Sequence, residues 1–254
     1  MNNIRLGLFI ALVVIVGIIL RGISSDGFQF MKHSISRFTP VDHPKYGHVY
    51  VLDTDDLISK FIIDKDVWEE DLCRKMADNY VPGTDMVDIG ANMGLNTLLM
   101  HKMNPVTGKV HLFEPQFDCF TVLEYNTRDI PREIYNLCLS DTYDMLSYNK
   151  VGDNVGGTSM TQNPTVNQIK VAAVPLDTIK FDNRVSLVKI DVEGAERFVL
   201  QGGRKFFETH KPALVIEIWE DKRAEVMPVL QSMNYVMVEK LGGHDFLFKH
   251  ASTI

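Results

Sequence analysis

Residues 87–97, which read VDIGANMGLNT, combine a carboxylate with two closely spaced glycines. An apolar run ends at Ile89, and Gly90 and Gly94 allow a sharp turn and a close approach of the backbone to a ligand. In a doubly wound sheet, such a strand-to-helix connection borders the crevice where a nucleotide-like ligand binds. The candidate ligand-binding residues of this loop are Asp88, Gly90, Ala91, Asn92 and Gly94.

Two kinds of ligand compete for this loop. A dinucleotide site has the pattern G-x-G-x-x-G, but Asn92 and a leucine stand where its second and third glycines would be. The carboxylate of Asp88 would also repel phosphates, whereas it would attract a ligand that carries an amino group. S-adenosylmethionine (SAM) carries an ammonium and a sulfonium, so the loop favours this methyl donor over a dinucleotide. A purely structural turn stays open as an alternative.

Further polar residues follow the next two predicted strands. Glu114 ends the run VHLFEP, and an acidic side chain at that strand end can accept both hydroxyls of a ribose. Ser140 and Asp141 follow the third predicted strand, where the edge of an adenine would lie. Each feature alone is common as a solvated carboxylate or a polar turn. Their order along the chain strengthens the prediction of a ligand with a nucleoside.

A second acidic cluster lies further along the chain, in LVKIDVEGAE and LVIEIW. Asp191 follows a predicted buried strand, where a charge is costly unless it is paired or functional. Glu217 ends the following strand, so both side chains are predicted to face one crevice at the same sheet edge. Glu193 lies between them, before the next helix.

Short apolar runs must form the strands that position these residues. The predicted strands are 86–89, 110–113, 135–139, 186–190, 213–218, 235–239 and 246–249. Helical patterns lie between most of them, at 95–103, 117–129, 195–210 and 221–233, which indicates an α/β fold with a mostly parallel sheet. The last connection, 240–245, is too short for a parallel crossover, so the last strand is predicted to run antiparallel to its neighbour.

Over residues 64–249 the sequence resembles the FkbM-type SAM-dependent methyltransferase family. The resemblance rests on VDIGANMGLNT, LFEP, LSD, VPLDTI, LVKIDVEGAE, LQGG, KPALVIEIWE and HDFLFKH. It implies a Rossmann-like class I methyltransferase fold with a mostly parallel seven-stranded sheet and an antiparallel last strand. It also implies methyl transfer to a hydroxyl oxygen, often of a sugar or a polyketide-type product.

A hydroxyl acceptor needs a base, or a metal that lowers its pKa. We predict that Asp191 or Glu217 is the general base, with Glu193 as the next candidate, and that Asp191 also borders the cofactor. Asp191 and Glu217 could instead hold Mg²⁺ as a pair. A metal-free reaction is favoured because no further Asp or Asn ligand is evident in the sequence. A catalytically silent SAM-binding membrane scaffold and an NAD-dependent oxidoreductase are the alternatives.

The N-terminus carries a membrane signal. Residues 6–20 are fifteen consecutive residues without a polar side chain, bracketed by Arg5 and Arg21. At ~1.5 Å per residue this run is shorter than a ~30 Å hydrocarbon core, but it spans one if both arginines snorkel outward. We predict a single-pass signal-anchor helix at 6–20 within an anchor at 1–24, a stalk at 25–45 and a methyltransferase domain at 46–254. A cleaved signal peptide and a soluble helix are the alternatives, and the charges do not decide the side of the membrane.

Composition narrows the class of partner. Lysine and arginine number 26 against 33 acidic residues, which gives a net charge of −7 and disfavours a nucleic-acid binder. Cys73, Cys119 and Cys138 are odd in number and lack metal-ligand spacing, so no disulfide framework or zinc site is indicated. The anchor suggests a glycan or a lipid-linked compound as acceptor. The sequence carries no signal for an oligomeric state.

Overall fold

A computed structural model describes residues 38–52, 56–148, 160–161 and 169–254. Thr39–Ile254 form one compact unit. The predicted anchor at 6–20 and residues 25–37 of the predicted stalk lie outside the described residues. Within the described ranges, no helix has the length and apolar character needed to cross a bilayer.

The compact unit alternates strands and helices. The strands are β1 (Phe38–His43), β2 (Gly47–Leu52), β3 (Asp85–Ile89), β4 (Val110–Phe113), β5 (Arg132–Tyr135), β6 (Cys138–Leu139), β7 (Asp144–Tyr148), β8 (Met160–Thr161), β9 (Ile169–Val174), β10 (Val185–Ile190), β11 (Ala213–Glu217), β12 (Tyr235–Gly242) and β13 (Asp245–His250). The α-helices are α1 (Leu57–Ile63), α2 (Glu70–Asn79), α3 (Leu95–Met103), α4 (Phe117–Asn126), α5 (Glu196–Gly202), α6 (Arg204–His210) and α7 (Arg223–Ser232).

Seven strands form the main sheet, in the order β12-β13-β11-β10-β3-β4-β5. The neighbours from β11 to β5 are parallel, whereas β13 runs antiparallel to both β11 and β12. This confirms the predicted mostly parallel seven-stranded sheet with an antiparallel last strand. Every residue of β3 and β10 is buried, as expected for central parallel strands covered on both faces. The parallel register brings the carboxyl ends of β3, β10 and β11 to one edge of the sheet.

The predicted third strand at 135–139 is wrong in its bounds. The strand that pairs with β4 is β5, which ends at Tyr135, and Cys138–Leu139 instead pair with β9 in a second sheet of four strands. The break falls at Asn136, whose side-chain amide donates to the carbonyls of Glu114 (2.9 Å) and Pro115 (3.0 Å). Those bonds redirect a chain whose apolar pattern is otherwise continuous.

The predicted helix at 195–210 is two helices, because the chain bends at a pair of glycines. A Cβ at Gly202 would lie 1.9 Å from the carbonyl oxygen of Ser140, so only glycine permits this close contact. The carboxylate of Asp177 then accepts hydrogen bonds from the backbone N–H groups at the start of α6, Lys205 and Phe206. The contact at Gly202 fixes the position of Ser140.

The β1–β2 hairpin places structure where a stalk was predicted. Residues 38–45 belong to β1 and its turn, and the amide of Asn126 exchanges two hydrogen bonds with the backbone of Tyr50 in β2 (2.8 and 2.9 Å). Val41, Val49 and Val51 are buried. The structured domain thus begins before residue 46. The polar composition of 25–45 masks this, although Val41 within that range is buried together with Val49 and Val51.

Candidate functional site

A cavity of about 720 Å³ lies at the carboxyl ends of β3, β4, β10 and β11. This volume is in the range of pockets that hold a small molecule. The cavity lining includes most of the residues that the sequence singled out: Gly90, Asn92, Glu114, Ser140, Asp141, Asp191, Glu193 and Glu217. The predicted residues that do not line it are Asp88, Ala91 and Gly94.

The glycine loop is held tightly against the neighbouring strands. Gly90 has φ +81°, and a Cβ there would lie 1.8 Å from the carbonyl oxygen of Asp191. The backbone N–H groups of Gly90 and Ala91 both donate to the carbonyl of Phe113 at 3.0 Å. Ala91 is buried in this contact and supports the loop from behind. Glycine at position 90 therefore lets the first loop and the loop after β10 come together.

Asn92 and Glu114 form the part of the cavity best suited to a nucleoside. Glu114 is 4% exposed and accepts hydrogen bonds from the backbone N–H groups of Asn92 (2.8 Å) and Gln116 (2.7 Å). Burial raises the pKa of Glu114 to about 7, against these two hydrogen bonds. Each carboxylate oxygen can still accept another donor, and Oδ1 of Asn92 is buried without a partner. These open acceptors fit the hydroxyls of a ribose.

Ser140 and Asp141 line the cavity beyond Glu114. The hydroxyl of Ser140 donates to Oδ1 of Asp141 at 3.3 Å, and its backbone N–H donates to Val174. The second sheet and α5 thus fix this pair in place. The contact of this pair with an adenine stays a prediction.

Asp88 has a different surrounding from the one predicted. Its side chain is fully buried, accepts a hydrogen bond from Oγ1 of Thr97 at 2.6 Å, and has Nζ of Lys189 at 4.0 Å from Oδ1. The carboxylate of Asp88 lies outside the cavity lining and beside a lysine, so its predicted attraction for the amino group of a ligand stays a prediction.

Gly94 supports the packing of two helices. Its φ is +76°, and a Cβ would lie 2.7 Å from a methyl group of Leu123 and 2.8 Å from one of Thr127. Glycine at the start of α3 therefore lets α4 pack close beside it. Gly94 is not part of the cavity lining, and the ligand contact predicted for it stays a prediction.

Three carboxylates converge on the opposite side of the cavity. One oxygen from each of Asp191, Glu193 and Glu217 lies within 4.8 Å of the others, and Glu193 adopts φ +55°. Burial first, and then the charge of Asp191, raise the pKa of Glu193 to about 7 and that of Glu217 to about 8. The three oxygens could hold a divalent cation, and Glu193 supplies the third ligand that was not evident from the sequence.

Lys189 connects this cluster to the glycine loop. Its buried Nζ lies 2.9 Å from Oδ2 of Asp191 and 4.0 Å from Asp88. Burial opposes its charge, but the carboxylates of Asp191 and Asp88 outweigh burial and raise the pKa of Lys189. Because Asp191 has this cationic partner, it differs from Glu217, whose Oε2 accepts only the indole N–H of Trp219, at 3.0 Å, among the described residues.

Sequence reasoning missed the wall that α1 and the start of α2 contribute: Leu57, Ile58, Trp68 and Glu69. Glu69 has φ +48° and accepts a hydrogen bond from the amide of Asn96 at 2.7 Å. No motif marks these positions, since they reach the cavity only through the packing of α2 on α3. Trp219, which follows β11, also lines the cavity.

Comparison with known proteins agrees with this geometry. The sequence model of the family described as "Methyltransferase FkbM domain" matches residues 88–237, more than half of the chain. No curated protein matches the chain.

Solved structures give the same result for the fold. The methyltransferase FkbM from Methylobacillus flagellatus KT is 18% identical over 67% of this chain and 44% of that chain, with a TM-score of 0.50. A ribosomal protein L11 methylase from Lactobacillus delbrueckii subsp. bulgaricus is 9% identical over 70% of this chain and 77% of that chain, with a TM-score of 0.45. The present chain thus spans less than half the length of the Methylobacillus protein, and the likeness to it supports a Rossmann-like methyltransferase fold.

The family match includes the glycine loop, Glu114 and the acidic cluster, which together line one cavity. The chain therefore belongs to the FkbM methyltransferase family, in which S-adenosylmethionine is the methyl donor.

Proposed function

We propose that this protein is a SAM-dependent O-methyltransferase that acts on a hydroxyl of a sugar in a glycan or glycoconjugate. The observation that carries the proposal is the convergence of Asp191, Glu193 and Glu217 in the same cavity as the glycine loop and Glu114. A hydroxyl needs such a base, whereas more nucleophilic acceptors do not.

The residues that would hold the donor are Gly90, Asn92, Glu114, Ser140, Asp141 and Asp191. Glu114 and Oδ1 of Asn92 offer acceptors for hydroxyl groups, and the carboxylate of Asp191 offers negative charge toward a cation. Bound S-adenosylmethionine supplies an electrophilic methyl group. Orienting the acceptor oxygen toward that group is then a large part of the task of the protein.

Glu217 is the carboxylate best suited to remove the proton of the acceptor. Asp191 has an oxygen engaged by Lys189, whereas Glu217 has no salt bridge among the described residues. The pKa of Glu217, raised to about 8, lies close to neutrality, which suits a general base. The apolar wall of Leu57, Ile58 and Trp68 limits water on the other side of the cavity.

Methyl transfer can be tested with the full chain and methyl-labelled S-adenosylmethionine. We expect label in a sugar of a mixed glycan extract, in a methyl ether that resists mild base, together with S-adenosylhomocysteine. Label that mild base releases would indicate a carboxyl ester instead of an ether. Donor binding without any turnover would favour the silent scaffold.

The raised pKa values also predict how stability depends on pH. Glu193 and Glu217 take up protons more readily in the folded chain than in the unfolded chain, with pKa values of about 7 and 8 against 4.5. Their contribution to stability is present below about pH 4.5 and is lost as pH rises through about 7 to 8. The free energy of unfolding of the unchanged protein should therefore fall between pH 5 and 8.5. We expect this fall to be smaller by about 1–2 kcal/mol in the double variant Glu193→Gln/Glu217→Gln, measured in urea titrations. An unchanged fall would contradict the burial of these charges, and Glu124→Gln is the exposed control.

We further propose, on the sequence alone, that residues 6–20 form a single-pass membrane anchor, ahead of the catalytic domain. The expressed chain should sediment with membranes and stay there after a high-salt wash, because apolar burial does not depend on ionic strength. A chain lacking residues 1–24 should remain in the supernatant. Recovery of the full chain in the soluble fraction would exclude the anchor, and the proposal leaves the side of the membrane open.

A further inference from the structure

The charges that line the cavity share one sign. Six carboxylates contribute to it: Glu69, Glu114, Asp141, Asp191, Glu193 and Glu217. Among the residues that the structure describes, no lysine, arginine or histidine lines the cavity. Lys189 is not one of the lining residues, and its positive charge is compensated by Asp191 and Asp88. An anionic molecule would therefore find no counter-charge among the described residues that line this cavity.

The carboxylates nearest to the reaction are also the least compensated. Glu193 and Glu217 form no salt bridge within the described part of the chain, yet their oxygens lie within 4.8 Å of each other and of Asp191. Bringing a phosphate, sulfate or carboxylate beside them would add a negative charge that opposes the ionised forms of both groups, and the reaction needs the ionised form of the base. An ammonium would offset the repulsion instead.

An aromatic side chain stands beside this cluster. Trp219 is 40% exposed, stacks on His244 with ring centroids 4.3 Å apart, and donates its indole N–H to Glu217. Both contacts fix the orientation of an indole that lines the cavity. An indole can pack against the apolar face of a sugar or against a cationic group, but it offers nothing to an anion.

We infer that the acceptor is a sugar without anionic groups near its reactive hydroxyl, and that an amino-bearing sugar binds best, with its ammonium near Glu193. This inference rests on the proposed function and narrows its substrate class. Phosphorylated, sulfated and uronic acid acceptors are disfavoured by the negative charge of the described lining. A divalent cation on the same three carboxylates is the competing hypothesis.

The first test measures binding to the full chain loaded with S-adenosylhomocysteine, by calorimetry in EDTA. The probes are three trisaccharides that differ in charge: tri-glucosamine, tri-N-acetylglucosamine and trigalacturonate. We expect tri-glucosamine to bind at least tenfold tighter than trigalacturonate, with the acetylated sugar between them. Equal or tighter binding of trigalacturonate overturns the inference, as does a lack of binding by tri-glucosamine. Binding of trigalacturonate that appears only with Mg²⁺ also overturns it, because a metal ion would then hold the carboxylates.

A charge reversal distinguishes the effect of the charges in the cavity from the effect of the overall net charge of −7. Glu193→Lys should reduce the preference for tri-glucosamine over trigalacturonate by about tenfold or more. Glu124→Lys, on the exposed side of α4, changes the net charge equally and should leave the preference unchanged. Equal effects of both substitutions would assign the preference to the general charge of the protein, which overturns the inference.

The second test uses methyl-labelled donor and a glycan extract that anion exchange has separated into cationic, neutral and anionic pools. We expect label in the cationic and neutral pools. Label in the anionic pool overturns the inference while leaving O-methylation intact. Absence of label from all pools counts against the proposed function. The ranking of the affinities for the three trisaccharides then decides the inference independently.

Discussion

Replacing Glu217 by Gln should slow methyl transfer by roughly 100-fold or more, while the affinity for the donor changes by less than about twofold. The amide keeps the size of the side chain and can still meet the indole N–H of Trp219, but it cannot take up a proton. Single-turnover rates with labelled donor, together with donor titrations, separate the two effects. Full turnover by Glu217→Gln would assign the base to another group.

The pH profile distinguishes a base from a residue that only shapes the cavity. In the unchanged protein the rate should rise with pH and level off above about 8, because Glu217 must lose its proton and its pKa is about 8. Glu217→Gln should lose this rise. Asp191→Asn removes the partner of Lys189, so we expect it to slow transfer, also by ~100-fold, but to keep the rise with pH. Glu220→Gln is the control, because Glu220 lies three residues after Glu217 and its side chain is exposed.

Replacing Gly90 by Ala should abolish donor binding and destabilise the fold by about 3–5 kcal/mol. The added Cβ would lie 1.8 Å from the carbonyl oxygen of Asp191, which is backbone and cannot move aside without displacing the acidic cluster. The substitution also forces a side chain into a left-handed conformation at φ +81°. Urea unfolding gives the loss of stability, and calorimetry with S-adenosylhomocysteine gives the loss of binding.

Gly83→Ala isolates the cost of the backbone conformation. Gly83 has φ +86°, nearly the same as Gly90, but a Cβ there meets no atom within 4 Å. We expect this variant to lose about 1–2 kcal/mol and to bind the donor normally. If both variants lost the same amount, the close contact between Gly90 and Asp191 would have no energetic role.

The predictions for Glu217, Asp191 and Glu193 share one electrostatic cause. The cavity concentrates carboxylates whose negative charges repel one another, and burial adds to the cost of their ionised forms. Proton uptake by Glu193 and Glu217 and the positive charge of Lys189 relieve this cost in part. A cationic donor is expected to offset the repulsion on binding.

The sequence by itself determined the type of sheet and most of the chemistry at its edge. Apolar runs that alternate with helical patterns require parallel strands, and the short connection around Gly242 requires an antiparallel return. Since parallel strands end at one edge, residues at their carboxyl ends, such as Asp191 and Glu217, are predicted to face one crevice, and both line the cavity. Local order along the chain is sufficient for such inferences.

Only the tertiary structure decided which of those residues face the ligand. Asp88 and Lys189 are opposite each other in the register of β3 and β10, and this pairing takes the carboxylate of Asp88 out of the cavity. Gly94 is needed for a helix contact, and Glu69 reaches the cavity through the packing of α2. Each of these outcomes depends on contacts between residues far apart in the chain, and a local pattern holds no information about such contacts.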